Sequence, residues 1–584
     1  MSGTSAEAGP TPRPSRWGGR LLRAVVLVGA FLWIRAFFAG PSPLGSGESF
    51  GSPERLSGVV HVHTNLSDGR GTPAEVVEAA RRAGVDFLVV TDHNRVDPER
   101  FDTGAAGGPV VIVGSEISTD AGHILAIGIR PPTFEFSGTL REVLDDVRHL
   151  GGCAFVAHPT SPRGETRFTR EDAAGDWGVE VVNGDTAWRE ASVFSLALAA
   201  WTYPVNPSFA LSRTLGDFRT ERALWDRVLA RRFAPGIGGT DAHGRIPISR
   251  TRSLGIPSYE ALFNLARTVV HLREPRPTAP AAARAAIVRA LCAGESVVAI
   301  PSLADAKGFS FVAQAPDGAL FGPGQVLPFV PGLRLRVGGP MPSGTRLDLL
   351  VSGGATLSSE SSMDIPVDRP GVYRVEAYLP GVATPWVLSN PISILSPEME
   401  AARIAAATSA AAPLLEGRTQ IARFETPSAF APEHDPASAI DEPIVDASAG
   451  RNGGAAARLS FHLSSGPRPP VWTALVDRTP RDLSGHDGVS FWMKADGEYR
   501  IWFQIRDRNP ASDDEGTEAW FASIRTTTEW THFNVPFADL RSINRKTDGS
   551  FDPAKIAHMV FVIDHGAMRF GSAGRIWIDD ITAY

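Results

Sequence analysis

Histidine and carboxylate side chains recur at the ends of short apolar runs in the first half of this 584-residue chain. The first such run ends in His61 and His63, which face the same side of a strand because side chains alternate along it. The run at residues 85–90 is followed by Asp92 and His93. Imidazole nitrogens and carboxylate oxygens are common ligands of divalent metals. The pattern therefore predicts a metal centre assembled from successive strand ends.

The same pattern recurs along residues 110–243 and gives six histidines and three carboxylates in all. Core histidines have no reason to occupy the same end of successive apolar runs, so this order favours metal binding over a structural role. The set contains no thiolate and suits Zn²⁺, Mn²⁺ or Fe²⁺ better than a structural zinc site. The nine candidate ligands are His61, His63, Asp68, His93, Glu116, His123, His158, Asp241 and His243.

Strands and helices alternate around these residues, which predicts an α/β fold. Thr72 is a good N-cap and Pro73 suits the first helical position, so a helix is predicted at residues 72–83. Aromatic residues are frequent at 188–225, which predicts a helical cap that either shapes a substrate pocket or only packs beside it. Further helices are predicted at 136–150, 259–270 and 281–292, and a final strand at 296–300.

Taken in order, these motifs resemble the PHP (polymerase and histidinol phosphatase) family of metal-dependent phosphoesterases. The resemblance covers residues 56–300 and rests on His-x-His, Thr-Asp-His-Asn, Gly-Ser-Glu, Gly-His, His-Pro and Gly-Thr-Asp-Ala-His. It implies a distorted (β/α)7 barrel with a two- or three-metal centre at the carboxyl ends of its strands. It also implies three ligand sets: His61, His63, Glu116 and Asp241; the bridging Glu116 with His123 and His158; and Asp68, His93 and His243.

The resemblance implies an enzyme that hydrolyses phosphomonoesters or phosphodiesters with a metal-activated water. Three divalent ions and three carboxylates would leave a surplus of about +3 charges, which suits a phosphate group and the charge that develops during its displacement. The residues implied in catalysis are His61, His63, Glu116, Asp241 and Asp92, the last of which is expected to orient His93 or a substrate proton. The candidates for binding the phosphate, from their nearness in sequence to the ligands, are Arg163, Arg167 and Arg245.

Two other functions remain open. An amidohydrolase-type enzyme would use a similar array of metal ligands to hydrolyse C–N bonds, although the third ligand set favours phosphate. A non-catalytic envelope protein would be stabilised by its metal ions and would bind a glycan through its β-domains.

The net charge bears on nucleic-acid binding, and the number and positions of the cysteines bear on their oxidation state. A net charge of −7 gives no reason to expect nucleic-acid binding. Two cysteines are too few for a disulfide framework. Cys153 begins an apolar strand and Cys292 lies on a predicted helix, so both are expected to be buried free thiols.

The N-terminus contains an apolar segment flanked by arginines. Residues 1–20 are predicted to be a disordered cytoplasmic tail, residues 21–39 a signal anchor that crosses the membrane as a helix, and residues 40–55 a Gly/Ser/Pro tether. This arrangement would put the barrel on the periplasmic or cell-surface side of the membrane. Cleavage of the segment would instead give a secreted protein, and an amphipathic helix lying on the membrane surface is a third alternative.

Short alternating strands fill the second half of the chain. Residues 301–397 are predicted to be an Ig-like β-sandwich, 398–418 an alanine-rich helical linker and 419–584 a jelly roll. The strand rhythm and the terminal Ile-Asp-Asp-Ile resemble galactose-binding-like domains, which include carbohydrate-binding modules. This resemblance implies that residues 419–584 bind a glycan or a protein partner. The expected substrate of the barrel is a phosphorylated small molecule or envelope component. The tryptophans that would stack on sugars if exposed, or pack in the core if buried, are Trp492, Trp502 and Trp577.

Overall fold

The structure is a computed structural model that describes residues 16–584 except 53, 102–106, 248–252, 353, 361, 408–418, 426–427, 467–469, 513–515, 543 and 545–547. Residues 1–15 of the predicted tail and residues 408–418 of the predicted linker lie outside the described residues. The described part is a mixed α/β unit followed by two β units.

The first unit contains a closed ring of strands. It comprises α1 (Arg16–Phe37), β1 (Glu54–Val62), α2 (Pro73–Arg82), β2 (Phe87–Val90), β3 (Val110–Val113), β4 (Ser115–Thr119), β5 (Gly122–Ile127), α3 (Leu140–His149), β6 (Cys153–Val156), β7 (Trp177–Asn183), α4 (Gly184–Glu190), α5 (Val193–Thr202), α6 (Pro207–Ser212), α7 (Arg219–Leu229), β8 (Gly236–Ala242), β9 (Ile246–Pro247), β10 (Ser253–Leu254), α8 (Tyr259–Leu262), β11 (Arg267–Leu272), α9 (Pro280–Cys292) and β12 (Ser296–Ala299).

Most neighbours in the ring are parallel. β1 is parallel to β2 and β8, β2 is parallel to β3, and β7 is parallel to β6 and β8. β5 is antiparallel to both β4 and β6. Because only Gly114 separates β3 from β4, these two form one bent strand, and the ring then has seven strands. The parallel strands bring their carboxyl ends to the same edge, which is the edge at which the predicted ligands lie.

Helices cover the outer face of this ring, so its strands are buried on both sides. Every residue of β2, β7 and β8 is buried. The predicted start of α2 is confirmed: the Thr72 hydroxyl accepts from the Glu75 amide and the Glu75 side chain returns to the Thr72 amide, which is a capping box. The helices predicted at 136–150 and 281–292 are present as α3 and α9, and residues 188–225 contain several helices, as predicted.

The helix predicted at residues 259–270 is wrong. α8 ends at Leu262, and β11 begins at Arg267. β11 pairs antiparallel with β1 on one side and with β12 on the other. The β-branched residues 268–270 suit this buried strand better than a helix, and the two ladders override the helical spacing of the apolar residues.

Cys153 and Cys292 form a disulfide bond, so the expectation of two free thiols is wrong. Their Cα atoms are 5.7 Å apart, which is within the usual range for a disulfide. The bond joins the start of β6 to the end of α9 across 139 residues of sequence. Two cysteines at this separation carry no spacing signal in the sequence, and only the fold brings them together.

A helix covers the apolar N-terminal segment, but its predicted role as a membrane span is not supported. None of the helices in the described ranges combines the length and apolar character that crossing a membrane requires. Arg20, Arg23 and Arg35 lie within α1 and interrupt its apolar run.

The second unit consists of two sheets, one of which continues into the barrel. It comprises β13 (Ser310–Gln314), β14 (Leu320–Phe321), β15 (Val326–Pro328), β16 (Arg334–Gly338), β17 (Arg346–Val351), β18 (Gly354–Ser359), β19 (Met363–Pro366), β20 (Gly371–Tyr378), β21 (Pro385–Ser389), β22 (Ile392–Leu395) and α10 (Pro397–Ala407). β21 pairs with β12 of the barrel. The two-sheet arrangement predicted for residues 301–397 is present, and its Ig-like topology stays a prediction.

The third unit is a sandwich of a seven-stranded and a six-stranded sheet. It comprises β23 (Thr419–Ala422), β24 (Phe430–His434), β25 (Ala439–Asp441), β26 (Val445–Asp446), β27 (Ala456–His462), β28 (Trp472–Asp477), β29 (Gly488–Ala495), β30 (Arg500–Arg508), β31 (Thr517–Arg525), β32 (Thr531–Pro536), β33 (Arg541–Ser542), β34 (Ile556–Asp564) and β35 (Ala573–Ala583). The six-stranded sheet has the order β24-β28-β34-β30-β31-β33.

A buried ion-pair network fastens this C-terminal unit to the barrel. Arg500 is 1% exposed and bonds Asp146 of α3 through Nη2 at 2.5 Å. Arg525 bonds the other oxygen of Asp146 at 2.7 Å and Asp145 at 2.8 Å. Because an unpaired buried charge is costly, each of these residues depends on the other unit for its partner.

We predict that reducing the disulfide destabilises the barrel. In the chain-entropy model, opening a loop of 139 residues lowers the free energy of unfolding by about 4–5 kcal/mol. Denaturant unfolding of the wild type, with and without reductant, measures the change. A Cys153→Ser/Cys292→Ser variant is the control, because it should be equally unstable in both conditions. Two free thiols in the unreduced, denatured wild type would contradict this prediction.

Candidate metal centre

The nine predicted ligands converge at the carboxyl edge of the barrel strands. The tightest group consists of His61, His63, Glu116 and Asp241, all buried. The Nε2 atoms of His61 and His63 lie 3.1 and 3.0 Å from Glu116 Oε2. Both Nε2 atoms lie 3.3 Å from Asp241 Oδ1. Four donor atoms from three different strand ends therefore face one common point.

The spacing of these four atoms fits a divalent ion between them. Ligand atoms at about 2.0–2.1 Å from an ion in tetrahedral geometry lie about 3.3 Å from one another. Both ring nitrogens of His63 are buried, and neither makes a well-directed hydrogen bond among the described residues, although carboxylate oxygens lie 3.0–3.5 Å away. An unpaired buried imidazole is costly unless a ligand occupies its lone pair. The donor set and the orphaned nitrogens thus fit a bound metal ion.

Glu116 lies between this group and a second one. Its Oε2 faces His61 and His63, whereas its Oε1 lies 2.6 Å from His123 Nδ1 and 2.8 Å from His158 Nε2. His93 also approaches this carboxylate, with Nδ1 3.6 Å from Oε2. One carboxylate facing two groups of imidazoles has the arrangement of a bridging ligand.

The remaining group surrounds Asp68 at the outer side of the cluster. Asp68 Oδ2 lies 3.0 Å from His243 Nε2, and Oδ1 lies 3.5 Å from His63 Nδ1 and 3.8 Å from His93 Nε2. The rings of His63 and His243 stack with centroids 4.3 Å apart. Compared with the sets implied by the family resemblance, the geometry adds His63 to the group of Asp68. It groups His93 rather than His158 with Glu116 and His123, although His158 Nε2 lies 2.8 Å from Glu116 Oε1.

The carboxylates strongly affect the pKa of the imidazoles. Burial lowers the pKa of His61, but Asp241, Glu180 and Glu116 more than compensate and raise it well above its ordinary value. Burial likewise opposes the effect of Asp241 and Glu116 on His63, whose pKa is nevertheless raised to about 10. In turn, despite burial, the imidazoles hold the pKa of Glu116 and Asp241 well below the usual range. The carboxylates are therefore ionised, and an imidazole that binds metal here must first release its proton.

Backbone strain is concentrated at the same place. Seven non-glycine residues in the described part of the chain have a clearly positive φ. Four of them belong to this cluster or adjoin it: His61 at 64°, Asn94 at 52°, His158 at 28° and Asp241 at 51°. Such conformations cost of order 1–3 kcal/mol each and persist only where surrounding contacts impose them. The barrel therefore holds these side chains in positions that relaxed strands would not give.

Glu180 is a site residue that the sequence analysis missed. It lies in β7, is fully buried, and its Oε1 is 2.9 Å from His61 Nδ1. Its Oε2 accepts from the His158 amide at 2.6 Å and from Asn183 Nδ2 at 2.9 Å. A carboxylate on the far nitrogen fixes the ring so that Nε2 faces the cluster. The signal was available, since a glutamate interrupts the apolar run Gly-Val-Glu-Val-Val of this strand.

Gly239 makes room for Glu180. A Cβ atom at position 239 would lie 1.7 Å from Glu180 Oε1, so only glycine allows the carboxylate to reach His61. The position of Glu180 therefore depends on the neighbouring strand β8 as well as on its own.

Asp92 does not orient His93 in this structure. Its Oδ1 accepts from the Thr64 amide at 2.7 Å and from the Ser67 hydroxyl at 2.6 Å, and its Oδ2 accepts from the Thr64 hydroxyl at 2.7 Å. These bonds hold the loop that follows His63. Asp92 thus supports the ligand-bearing loop, and the expectation that it orients His93 is corrected; its other expected role, on a substrate proton, stays a prediction.

The three predicted phosphate-binding arginines differ in their surroundings. Arg245 Nη2 lies 3.6 Å from Asp68 Oδ2, which puts it beside the cluster. Arg163 Nη2 lies 3.7 Å from Asp185 Oδ2, and Arg167 is exposed and donates to the Ser161 carbonyl.

A fourth arginine, Arg189 of α4, was missed by the sequence analysis. Its Nε donates to Asp185 Oδ2 at 2.5 Å. Burial lowers its pKa, but Asp185 and more distantly Asp241 outweigh that effect and raise it. Arg189 is therefore a second cation that pairs with Asp185, beside Arg163.

Comparison with known proteins gives one family match, which lies outside this cluster. Residues 411–556 match the family described as Carbohydrate binding domain (family 11). An uncharacterized protein of Methanocaldococcus jannaschii is 26% identical in an alignment of 116 residues that covers 18% of this chain and 67% of that protein. The third unit is thus similar in sequence to carbohydrate-binding domains.

Two kinds of solved structure are similar to parts of the chain. One is a family 11 carbohydrate-binding module from Clostridium thermocellum in complex with a beta-1,3-1,4-mixed-linked tetrasaccharide; it is 19% identical with a TM-score of 0.24, over 29% of this chain and 95% of that one. The other is a two-domain protein from Bacteroides vulgatus that contains a predicted PHP-like metal-dependent phosphoesterase. It is 15% identical with a TM-score of 0.29, over 61% of this chain and 98% of that one.

We predict that Glu180→Gln weakens metal binding by about 10–100-fold, because an amide cannot accept from both His61 and the His158 amide. Competition with a chromogenic chelator measures the affinity. Glu376→Gln is the matched control: Glu376 is also a buried carboxylate, but it bonds Arg222, Arg374 and Tyr378. Equal affinities of the Glu180→Gln variant and the wild type would show that Glu180 does not position His61.

Proposed function

We propose that the barrel is a metal-dependent hydrolase of phosphoesters, of the PHP type, with two or three divalent ions. The observation that carries the proposal is the Glu116 carboxylate, whose two oxygens face two separate groups of imidazoles. A contiguous array of nine donors supports more than one ion. Zn²⁺, Mn²⁺ and Fe²⁺ all suit imidazole and carboxylate ligands.

Charge supports a phosphate substrate. Bound divalent ions would supply a water of lowered pKa and positive charge for the phosphate oxygens. The cluster itself contains three carboxylates, so two or three divalent ions leave it with a surplus of positive charge. Arg245 beside Asp68, and Arg189 and Arg163 beside Asp185, would add cationic groups at its margin. Planar guanidinium groups match the oxygens of phosphate.

The chain's own residues would prepare the site for this reaction. Glu180 orients the His61 ring, and Asp92 holds the loop after His63. Tyr259 links that loop to the loop that carries His243. The Tyr259 hydroxyl lies 2.9 Å from the carbonyl oxygens of His63 and His243, and it accepts from the Gly71 amide. Fixed side chains at the moment of reaction are a main source of rate enhancement.

Two alternatives have distinct outcomes. An amidohydrolase would release amine from amide substrates. It would not need the third group of metal ligands, around Asp68, which suits binding of a phosphate group. A non-catalytic, metal-stabilised envelope protein would bind metal but turn over neither class of substrate. The array around Asp68 favours the phosphoesterase.

We also propose that the C-terminal unit binds a carbohydrate. The family match at residues 411–556 supports this. A groove on the outer face of its six-stranded sheet has an apolar floor of Ala474, Val560 and Val562, against which Trp472 and Trp502 pack. Apolar and aromatic surfaces of this kind suit the C–H faces of sugars, while polar side chains at the rim suit hydroxyl groups. The tryptophans predicted to stack on sugars are all half-buried, and Trp502 is the one beside this groove.

The disulfide supports a location outside the cytoplasm, on the periplasmic or cell-surface side. Structural disulfides form in oxidising compartments and are rare in the cytosol. The bond between Cys153 and Cys292 lies within the barrel itself. A glycan-binding unit on the same chain suits an envelope substrate.

We predict that Glu116→Ala lowers phosphoester turnover at least about a hundredfold, since loss of a bridging ligand should exceed the effect of losing a residue that only orients one. Turnover of aryl phosphomonoesters and phosphodiesters, with added Mn²⁺ or Zn²⁺, measures it, and amide substrates are tested in parallel. Glu400→Ala, at an exposed position of α10, should leave turnover unchanged. Full metal-dependent turnover by Glu116→Ala would contradict the proposal.

We predict that Trp472→Ala weakens glycan binding by roughly tenfold through loss of aromatic contact area. Affinity electrophoresis of the full chain in gels with soluble polysaccharides measures binding. Trp577→Ala, on the other sheet, is the control and should migrate like the wild type. Equal retardation of all three proteins would place the glycan elsewhere.

A further inference from the structure

The solvent-facing side of α5 carries only apolar side chains. Val193 is 83% exposed, Phe194 77% and Trp201 51%, and Ala197 and Ala200 are exposed as well. These positions recur at the three- and four-residue spacing of one helix face. A helix at the surface of a water-soluble domain normally has charged and polar residues there. The outward face of α5 therefore suits an apolar environment.

α1 packs against α5 and extends this apolar surface. The indole Nε1 of Trp33 donates to the Trp201 carbonyl at 3.0 Å, and the two indole rings lie 5.8 Å apart. Gly29 permits the close approach, since a Cβ atom there would lie 3.0 Å from Trp201 Cζ2. Asn206 donates through Nδ2 to the Ala36 carbonyl near the end of α1 at 3.1 Å. These contacts hold the two helices side by side.

The exposed side chains of α1 combine apolar bulk with positive charge. Leu22, Val25, Leu27, Phe31, Ile34 and Phe37 are all more than half exposed. Arg20, Arg23 and Arg35 are exposed on the same helix, and the sequence of α1 contains neither Asp nor Glu. An exposed apolar surface of this extent marks a site of association.

We propose that α1 and α5 together dock on the surface of a lipid bilayer. Their apolar side chains would enter the boundary between headgroups and acyl chains, and the arginines would pair with lipid phosphates. Trp33 and Trp201 have the amphipathic rings that are enriched at this depth of a membrane. A second copy of the chain fits less well, because two surfaces with arginines and without acids would repel each other.

Docking through α5 would hold the barrel with its metal cluster close to the membrane. Tyr203, the C-cap residue of α5, accepts through its hydroxyl from the Ser258 amide at 2.9 Å. Tyr259, which follows Ser258 in the chain, contacts the backbone carbonyls of His63 and His243 through its hydroxyl. A short run of contacts therefore links the docking helix to the ligand loops.

Co-sedimentation of the full chain with vesicles of phosphatidylcholine and phosphatidylglycerol tests the proposal. The wild type should sediment with the vesicles. Val193→Asp/Phe194→Asp should lower the vesicle partition coefficient by about tenfold or more, since two apolar side chains would be replaced by charges that anionic lipid repels. Val326→Asp/Phe570→Asp is the matched control, at exposed apolar positions of the two β units, and should sediment like the wild type.

A second measurement reports the contact directly. Cys153 and Cys292 are bonded to each other, so a Phe194→Cys variant takes a single environment-sensitive fluorophore. Its emission should shift to the blue on addition of vesicles, and the same label at Phe570→Cys should not respond. Equal sedimentation of the two Asp variants, or no response of the label at position 194, would overturn the proposal. So would a dimer without vesicles that Val193→Asp/Phe194→Asp dissociates, because a second copy would then cover this face.

Discussion

The need to compensate buried negative charge is the constraint on which this barrel depends. Glu116, Asp241 and Glu180 are ionisable groups with almost no exposure to solvent, and each lies 2.9–3.3 Å from a ring nitrogen of His61. Isolated charges of this kind are too costly to bury. Imidazolium groups offset them in the metal-free chain, as the raised pKa values of His61 and His63 indicate. Divalent ions would offset them more strongly and would satisfy the orphaned imidazole nitrogens.

The three units form a connected body around this constraint. The second unit continues the barrel sheet through the pairing of β12 and β21. The third unit is tied to α3 by Arg500 and Arg525, whose charges find their partner in Asp146. A groove that suits a glycan, a metal cluster that suits phosphate, and an apolar helical face are thus held in a fixed relation. This combination is compatible with the proposed role of an enzyme that acts on an envelope component.

The sequence predicted that the nine side chains converge, because most of them follow short apolar strands and the carboxyl ends of parallel barrel strands meet at one edge. The sequence also predicted the start of α2, because capping depends only on residues close together in the chain, here Thr72 and Glu75. Glu180 was missed because it lies inside a strand, where its role depends on Gly239 of another strand. The sequence predicts a helix at β11 because the spacing of its apolar residues is compatible with a helix and with a strand, and only the pairing with β1 distinguishes the two. The disulfide and the bonds of Asp92 likewise depend on residues distant in sequence.

Metal content per chain tests the central claim most directly. The full chain would be loaded with Mn²⁺ or Zn²⁺, separated from free ions and subjected to elemental analysis, beside His61→Ala and His243→Ala. Two to three bound ions per wild-type chain are expected, with a lower content in each variant, because His61 and His243 belong to different groups of the cluster. An absence of bound metal in the loaded wild type would contradict the account, because the nine converging side chains would then not form a metal site.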